Sequence, residues 1–135
     1  MVVDTSAFAR AHHPEVREDW AHASHDGRLR ISPIARLEIL FGARNGKVFD
    51  ELAEELSMFR GAPLTSTIIR AAEDTMRTLA HRTAGAQRLP LVDYLLAATA
   101  QHTASAVLHY DHDFDTLAEI MGFDAQWLAP PGSID

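Results

Sequence analysis

The sequence predicts an α/β fold, a three-layer α/β/α sandwich around a mostly parallel sheet, and three observations lead there. The chain opens on Met1-Val2-Val3, an apolar run too short for a helix, followed at once by Asp4-Thr5-Ser6, residue types that cap helices. A second such run, Ala104–Leu108, comes directly after a nearly uncharged helical segment, Leu91–His102. Between the two, short strand candidates alternate with amphipathic helical patterns, the order that builds right-handed crossovers and a parallel sheet. Ligands of such sheets sit beyond the carboxyl ends of the strands, so Asp4 and Asp111 are expected as neighbours on one rim near the sheet centre.

The other elements follow in order. Ala7–Ala11 is a short helical segment that runs into His12-His13-Pro14, where the proline restricts its predecessor and resets the chain. Glu15–Ala23 reads as a helix, Ser24-His25-Asp26-Gly27 as a turn and Leu29–Ile31 as a strand. Ser32-Pro33 is a specific helix start, with Ser as N-cap and Pro in the first turn, and that helix is expected to reach Ala43 and stop at Asn45-Gly46. Val48–Phe59 places Phe49, Leu52, Leu56 and Phe59 on one side and Asp50, Glu51, Glu54 and Glu55 on the other. Gly61-Ala62-Pro63 breaks the pattern, and Thr65-Ser66-Thr67 caps a helix from about Ile68 to Thr83. A loop from Ala84 to Pro90 precedes Leu91–His102. Asp111–Phe114 forms a loop after the second main strand, a helix continues to Met121-Gly122, and Ala125–Leu128 is an edge-strand candidate before a Pro-Pro-Gly tail.

The 135 residues suit one domain over 1–135, with no repeat and no linker. Twelve Lys and Arg against 19 Asp and Glu give a net charge of −7, which argues against holding nucleic acid on a broad basic surface. A nuclease that meets phosphates through bound cations is compatible with it. The absence of cysteine excludes disulfides and thiolate metal sites. Asp4 interrupts the apolar start, no secretory or membrane-spanning pattern follows, and the expected setting is cytoplasmic.

Four further carboxylates stand in unusual places. Glu38 shares a helix face with Ile34 and Phe41, and Asp93 opens the uncharged helix beside Leu96 and Ala97. A helix N-terminus favours a carboxylate by ~0.3–1 kcal/mol, too little to justify burying the charge, so Asp93 requires a cation or donors. Asp111 and Asp113 lie in Tyr110-Asp111-His112-Asp113-Phe114, on the expected rim. Unit charges 4 Å apart repel by ~1 kcal/mol in water and ~4 kcal/mol at an effective dielectric of 20. A cluster of these acids would therefore protonate or splay unless it held a cation. Oxygen ligands without cysteine suit Mg²⁺, with Mn²⁺ as substitute, and such an ion can activate water and neutralise charge on a phosphodiester. Taken singly, each acid has a plain reading as well: Asp4 as a helix cap, Asp93 as a helix-dipole group, Asp111 and Asp113 as turn residues, Glu38 as a surface group.

Together the motifs Val-Val-Asp-Thr-Ser at Val2–Ser6, Ser32-Pro33 through Leu37-Glu38-Ile39-Leu40-Phe41-Gly42, Pro90-Leu91-Val92-Asp93 and Asp111-His112-Asp113-Phe114 resemble the PIN domain, and more narrowly the VapC-type toxins of toxin–antitoxin pairs. The resemblance spans essentially the whole chain. It implies a PIN-like sandwich and a Mg²⁺-dependent ribonuclease that cleaves RNA. It also implies a homodimer and a cognate antitoxin that covers the acidic site, with which the chain would assemble as a hetero-oligomer. It further implies catalytic roles for Asp4, Glu38, Asp93, Asp111 and Asp113. Asp4, Glu38, Asp93 and Asp111 would hold metal, Asp113 would orient a water or a ligand, and Thr5 or Ser6 would support Asp4. His109 departs from the Thr or Ser of many members. Arg10, Arg36, Arg44, Arg82 and Arg88 are candidates for RNA phosphates, without ranking.

Other readings compete. A receiver-type phosphoacceptor needs a late lysine, and the only lysine is Lys47. A dehalogenase-type phosphatase needs a second Asp at the position of Ser6. Zinc on His109, His112 and Asp111 is conceivable. From a different class, a non-catalytic interaction protein would bind a partner peptide through a groove of Phe49, Leu52, Leu56 and Phe59.

Overall fold

The computed structural model describes residues 1–135. Five strands, β1 (Val2–Val3), β2 (Arg30–Ile31), β3 (Arg60–Gly61), β4 (Ala106–His109) and β5 (Asp124–Trp127), form one sheet in the order β3-β2-β1-β4-β5, with every pairing parallel. The seven helices are α1 (Thr5–Phe8), α2 (Arg17–His25), α3 (Pro33–Phe41), α4 (Gly46–Leu56), α5 (Ser66–Arg82), α6 (Leu91–His102) and α7 (Asp113–Ala118). This is the α/β sandwich that the alternation predicts. Val2 and Val3 point to opposite faces of the central strand and both are fully buried, so helices cover the sheet on both sides.

The chain first builds the sheet outward from β1 through β2 to β3, then returns through α5 and α6 to place β4 on the other side of β1. The strand order therefore reverses between β1 and β4, and a crevice opens beyond their carboxyl ends at such a point. The register is tight there. Val3 pairs with Leu108, and the Asp4 amide donates to the Leu108 carbonyl at 2.9 Å.

Helix starts follow the capping chemistry. Ser32 accepts from the Ile34 amide at 3.3 Å with Pro33 next to it, and Thr65 accepts from the Ile68 amide at 3.2 Å. Each such cap contributes ~1 kcal/mol. Asn45-Gly46 corrects the expectation drawn from sequence. Instead of ending α3, which closes at Phe41 and Gly42, it starts α4, with Asn45 Oδ1 accepting from the Val48 amide at 2.9 Å. Arg60–Gly61 is a second correction, because the pairing partner Arg30–Ile31 draws the expected end of a helix and its break into a short edge strand.

The core joins both faces of the sheet. Phe8, Trp20 and Phe59 meet edge to face with centroids 6.0–6.4 Å apart. Leu56 is buried and Phe59 lies in that aromatic cluster, so the stripe considered as a partner groove is part of the core, Phe49 excepted. α6 is buried on nearly all sides, as its lack of charge predicts. No helix is long and apolar enough to cross a membrane.

Candidate metal centre at the strand ends

Asp4 ends β1 and caps α1. Its Oδ2 accepts from the Ser6 amide at 3.0 Å and also from the Ser6 hydroxyl, so the capping reading and the rim reading are both true of one carboxylate. The Ser6 hydroxyl in turn accepts from the Tyr110 amide at 2.9 Å, a bond between segments 104 residues apart that fixes the end of β4 against the end of β1. Ser6 is therefore the hydroxyl that holds Asp4, while Thr5 donates to Glu38 Oε1. Ser6→Ala leaves the buried Tyr110 amide without its acceptor and Asp4 without a donor. A loss of ~1–3 kcal/mol is expected in urea unfolding, with a weaker response of the protein to Mg²⁺; a melt unchanged from wild type would refute it.

Asp93, Asp111 and Asp113 each offer an oxygen, and these three atoms lie within 4.8 Å of one another. Asp93 comes from the first turn of α6. Asp111 is turned inward by its own loop, where its Oδ1 accepts from the Asp113 amide at 3.0 Å and its amide donates to His109 Nδ1 at 3.1 Å. Asp113 opens α7 and completes the trio. The family resemblance assigns Asp113 a water to orient and assigns Asp4 and Glu38 to the metal. In the fold Asp113 belongs to the tight group, and Asp4 and Glu38 stand outside it while still acting on its charge.

That charge acts on the pKa values of the acids. Asp93 is pushed up from 3.8 to about 8, first by burial, then by Asp4, Asp111, Asp113 and Glu38 in that order. The helix N-terminus cannot offset a shift of that size. Asp4 is raised by burial and by Glu38, against the Ser6 bonds that lower it, and Asp113 is raised by burial and by Asp111. Asp93 Oδ2 is enclosed and has no hydrogen-bond partner. A buried carboxylate with one oxygen lacking a donor, grouped with two further carboxylates, is the donor set a hard divalent cation satisfies, so the residues present fit Mg²⁺ or Mn²⁺.

Glu38 is a correction in one respect. The face it shares with Ile34 and Phe41 is not buried, since Ile34 is half-buried, Glu38 is exposed, Phe41 is 91 % exposed, and α3 packs through Ala35, Ile39 and Leu40. Its carboxylate reaches the centre from solvent. His109 is fully buried between Phe114 and Trp127, with ring centroids 5.1 and 4.9 Å away, and burial lowers its pKa. With Nδ1 occupied by the Asp111 amide it shapes the acidic loop, and no histidine joins the carboxylate trio, so a zinc site on His109 and His112 finds no support. Three contacts had no signal in the sequence. Trp127 donates from Nε1 to Asp115 at 3.2 Å, and Arg10 lies over the Tyr110 ring at 4.4 Å while donating to the Ser6 carbonyl at 3.0 Å.

The profile of the PIN domain family matches residues 1–120. This chain belongs to the PIN-domain family. Within that family it is 34% identical to Ribonuclease VapC18 of Mycobacterium tuberculosis over 98% of this chain and 97% of the relative. It is also 34% identical to Ribonuclease VapC51 of the same organism over 99% and 96%. The fold is shared with the DNA-bound VapBC of Salmonella typhimurium, at a TM-score of 0.75 and 17% identity over 95% of this chain and 97% of that one. It is shared as well with FitAcB of Neisseria gonorrhoeae, at a TM-score of 0.67 and 21% identity over 93% and 95%. The strand-end crevice of this PIN domain is where its acids converge.

Proposed function

We propose that this PIN domain is a divalent-metal-dependent endoribonuclease, the toxin of a toxin–antitoxin pair, and that Asp4, Glu38, Asp93, Asp111 and Asp113 form its catalytic site. The observation that carries the reading is the buried Asp93 carboxylate, one of whose oxygens has no partner, grouped within 4.8 Å with Asp111 and Asp113. Relatives named ribonucleases at 34% identity over almost the whole chain support the substrate.

Asp93, Asp111 and Asp113 would hold the ion, Mg²⁺ or Mn²⁺, with Asp4 and Glu38 beside them. When bound, the ion supplies a Lewis acid that activates water and neutralises charge on the phosphodiester. The chain's own residues contribute the arrangement. Ser6 keeps the Asp4 carboxylate at the β1 end, His109 sets the loop carrying Asp111, and α6 brings in an acid that burial leaves short of donors. The antitoxin and a second copy of this chain are the proposed partners. Leu37 and Phe41, which flank Glu38 and are 62% and 91% exposed, together with Leu91, 67% exposed and two residues before Asp93, offer apolar contact beside the acids.

The test is cleavage of single-stranded RNA by the purified protein in Mg²⁺. Wild type is expected to cut, chelation to stop it, and Asp4→Asn and Asp93→Asn each to lower the rate by at least ~100-fold, a loss of ~2.7 kcal/mol of transition-state stabilisation. Cleavage that persists in the double variant would defeat the proposal.

A further inference from the structure

Arg10 is half-buried, yet it makes no ion pair with any of the 19 acidic residues of the chain. Of its five N–H donors only one, on Nη1, has a protein acceptor, the Ser6 carbonyl, and its Nε is enclosed without a partner. A half-buried guanidinium ordinarily finds a carboxylate, and this one is held in place by the Tyr110 ring instead. It lines a concavity of about 430 Å³ together with Tyr110, His112, Trp127 and Asp135. That volume is within the range of small-ligand sites.

Two features of the walls indicate what fits. His112, with its side chain 78% exposed, meets the Trp127 ring edge to face at 4.8 Å, so an aromatic corner opens to solvent beside the guanidinium. A preorganised cation next to an accessible aromatic corner is the combination that takes a nucleotide, phosphate on the cation and base on the rings. The place is also specific. His112 is the residue between Asp111 and Asp113, so the concavity and the carboxylate trio are built from the same Tyr110–Asp113 segment.

We propose that the concavity of Arg10, Tyr110, His112 and Trp127 is a nucleotide subsite that takes the phosphate and base adjoining the scissile bond of single-stranded RNA. It rests on the ribonuclease reading above and goes further by assigning one of five unranked arginines to the substrate. Asp135 also lines the concavity, and its negative charge opposes the phosphate.

The experiment is titration of the full chain with a short fluorescent single-stranded RNA in chelator, so that nothing is cut, across a series of salt concentrations. Arg10→Gln is expected to weaken binding about tenfold and to lower the slope of log Kd against log salt by about 0.7, the signature of one phosphate contact on a single strand. Arg10→Lys is expected to keep the slope. His112→Ala is expected to weaken binding about fivefold, because it removes a stacking surface. Asp135→Asn, at an exposed position, is expected to tighten binding about twofold, and together with His112→Ala it decides the question if Arg10→Gln does not fold. A wild-type slope in Arg10→Gln, or wild-type affinity in both His112→Ala and Asp135→Asn, overturns the subsite. Cleavage in Mg²⁺ at an unaltered KM in Arg10→Gln and His112→Ala overturns the subsite alone, whereas wild-type protein that neither binds nor cuts RNA overturns the ribonuclease reading with it.

Discussion

Asp93→Asn is expected to make the metal-free protein more stable at pH 9 while removing its response to Mg²⁺. The two halves have one cause. The folded protein holds the Asp93 proton up to about pH 8, against 3.8 for the ordinary carboxyl, because the group is buried among like charges. The native state therefore binds more protons than the unfolded state between those values. The contribution of Asp93 to stability is complete below 3.8 and falls as pH rises towards 8, the reverse of a salt-bridged aspartate. Asp4 and Asp113 are raised as well and act in the same direction. Asn mimics the protonated form and carries no charge at any pH. A gain of roughly 2–3 kcal/mol at alkaline pH is expected after allowance for solvent screening, vanishing near pH 4.

Denaturant melts of both proteins in chelator across this range measure the effect. Mg²⁺ should restore wild-type stability at high pH and, below about pH 8, release protons as it binds, since the ligand must be deprotonated. Calorimetry in two buffers of different ionisation enthalpy would detect that release. An Asn variant no more stable than wild type at pH 9 would show that Asp93 carries no burial penalty there.

Phe114→Ala is expected to be the most destabilising single change near the site. Phe114 is fully buried, lies against the His109 ring at 5.1 Å and sits one residue after Asp113. Truncating a buried phenylalanine costs ~3–5 kcal/mol, a large part of the ~5–15 kcal/mol by which a domain is stable. The melting temperature should fall by ~10–20 °C. The cavity would also free the His109 ring, whose Nδ1 holds the Asp111 amide, so Mg²⁺ affinity should fall in the fraction that remains folded. Phe114→Leu, which keeps most of the volume, is expected to retain Mg²⁺ binding at a smaller stability loss. Equal loss of Mg²⁺ binding in both would mean that the ring itself, and not the packing, sets the loop.

Where the sequence misleads, the missing information is tertiary. Asn45-Gly46 has the composition of a helix stop and is a helix start, because an Asn side chain serves either end and the turn before it decides which. Arg60–Gly61 has no strand pattern and becomes one only because Arg30–Ile31 offers an edge to pair with. Helical period groups Glu38 with Ile34 and Phe41 on an apolar face, yet α3 leans on Ala35, Ile39 and Leu40 and leaves Phe41 in solvent. Periodicity reports that a face is apolar but not what covers it.

The amino-acid order by itself determined the alternation of strands and helices, the caps at Ser32 and Thr65, and the buried helix with a single carboxylate, Asp93, in its first turn, since each of these is set by residues within a turn or two of one another. Tertiary structure alone decided that Asp93, Asp111 and Asp113 meet within 4.8 Å, that Ser6 and not Thr5 holds Asp4, and that Arg10 goes without a carboxylate. The reason is that parallel pairing of β1 with β4 joins segments about a hundred residues apart, and the energy of a carboxylate depends on which charges and donors the fold brings to it.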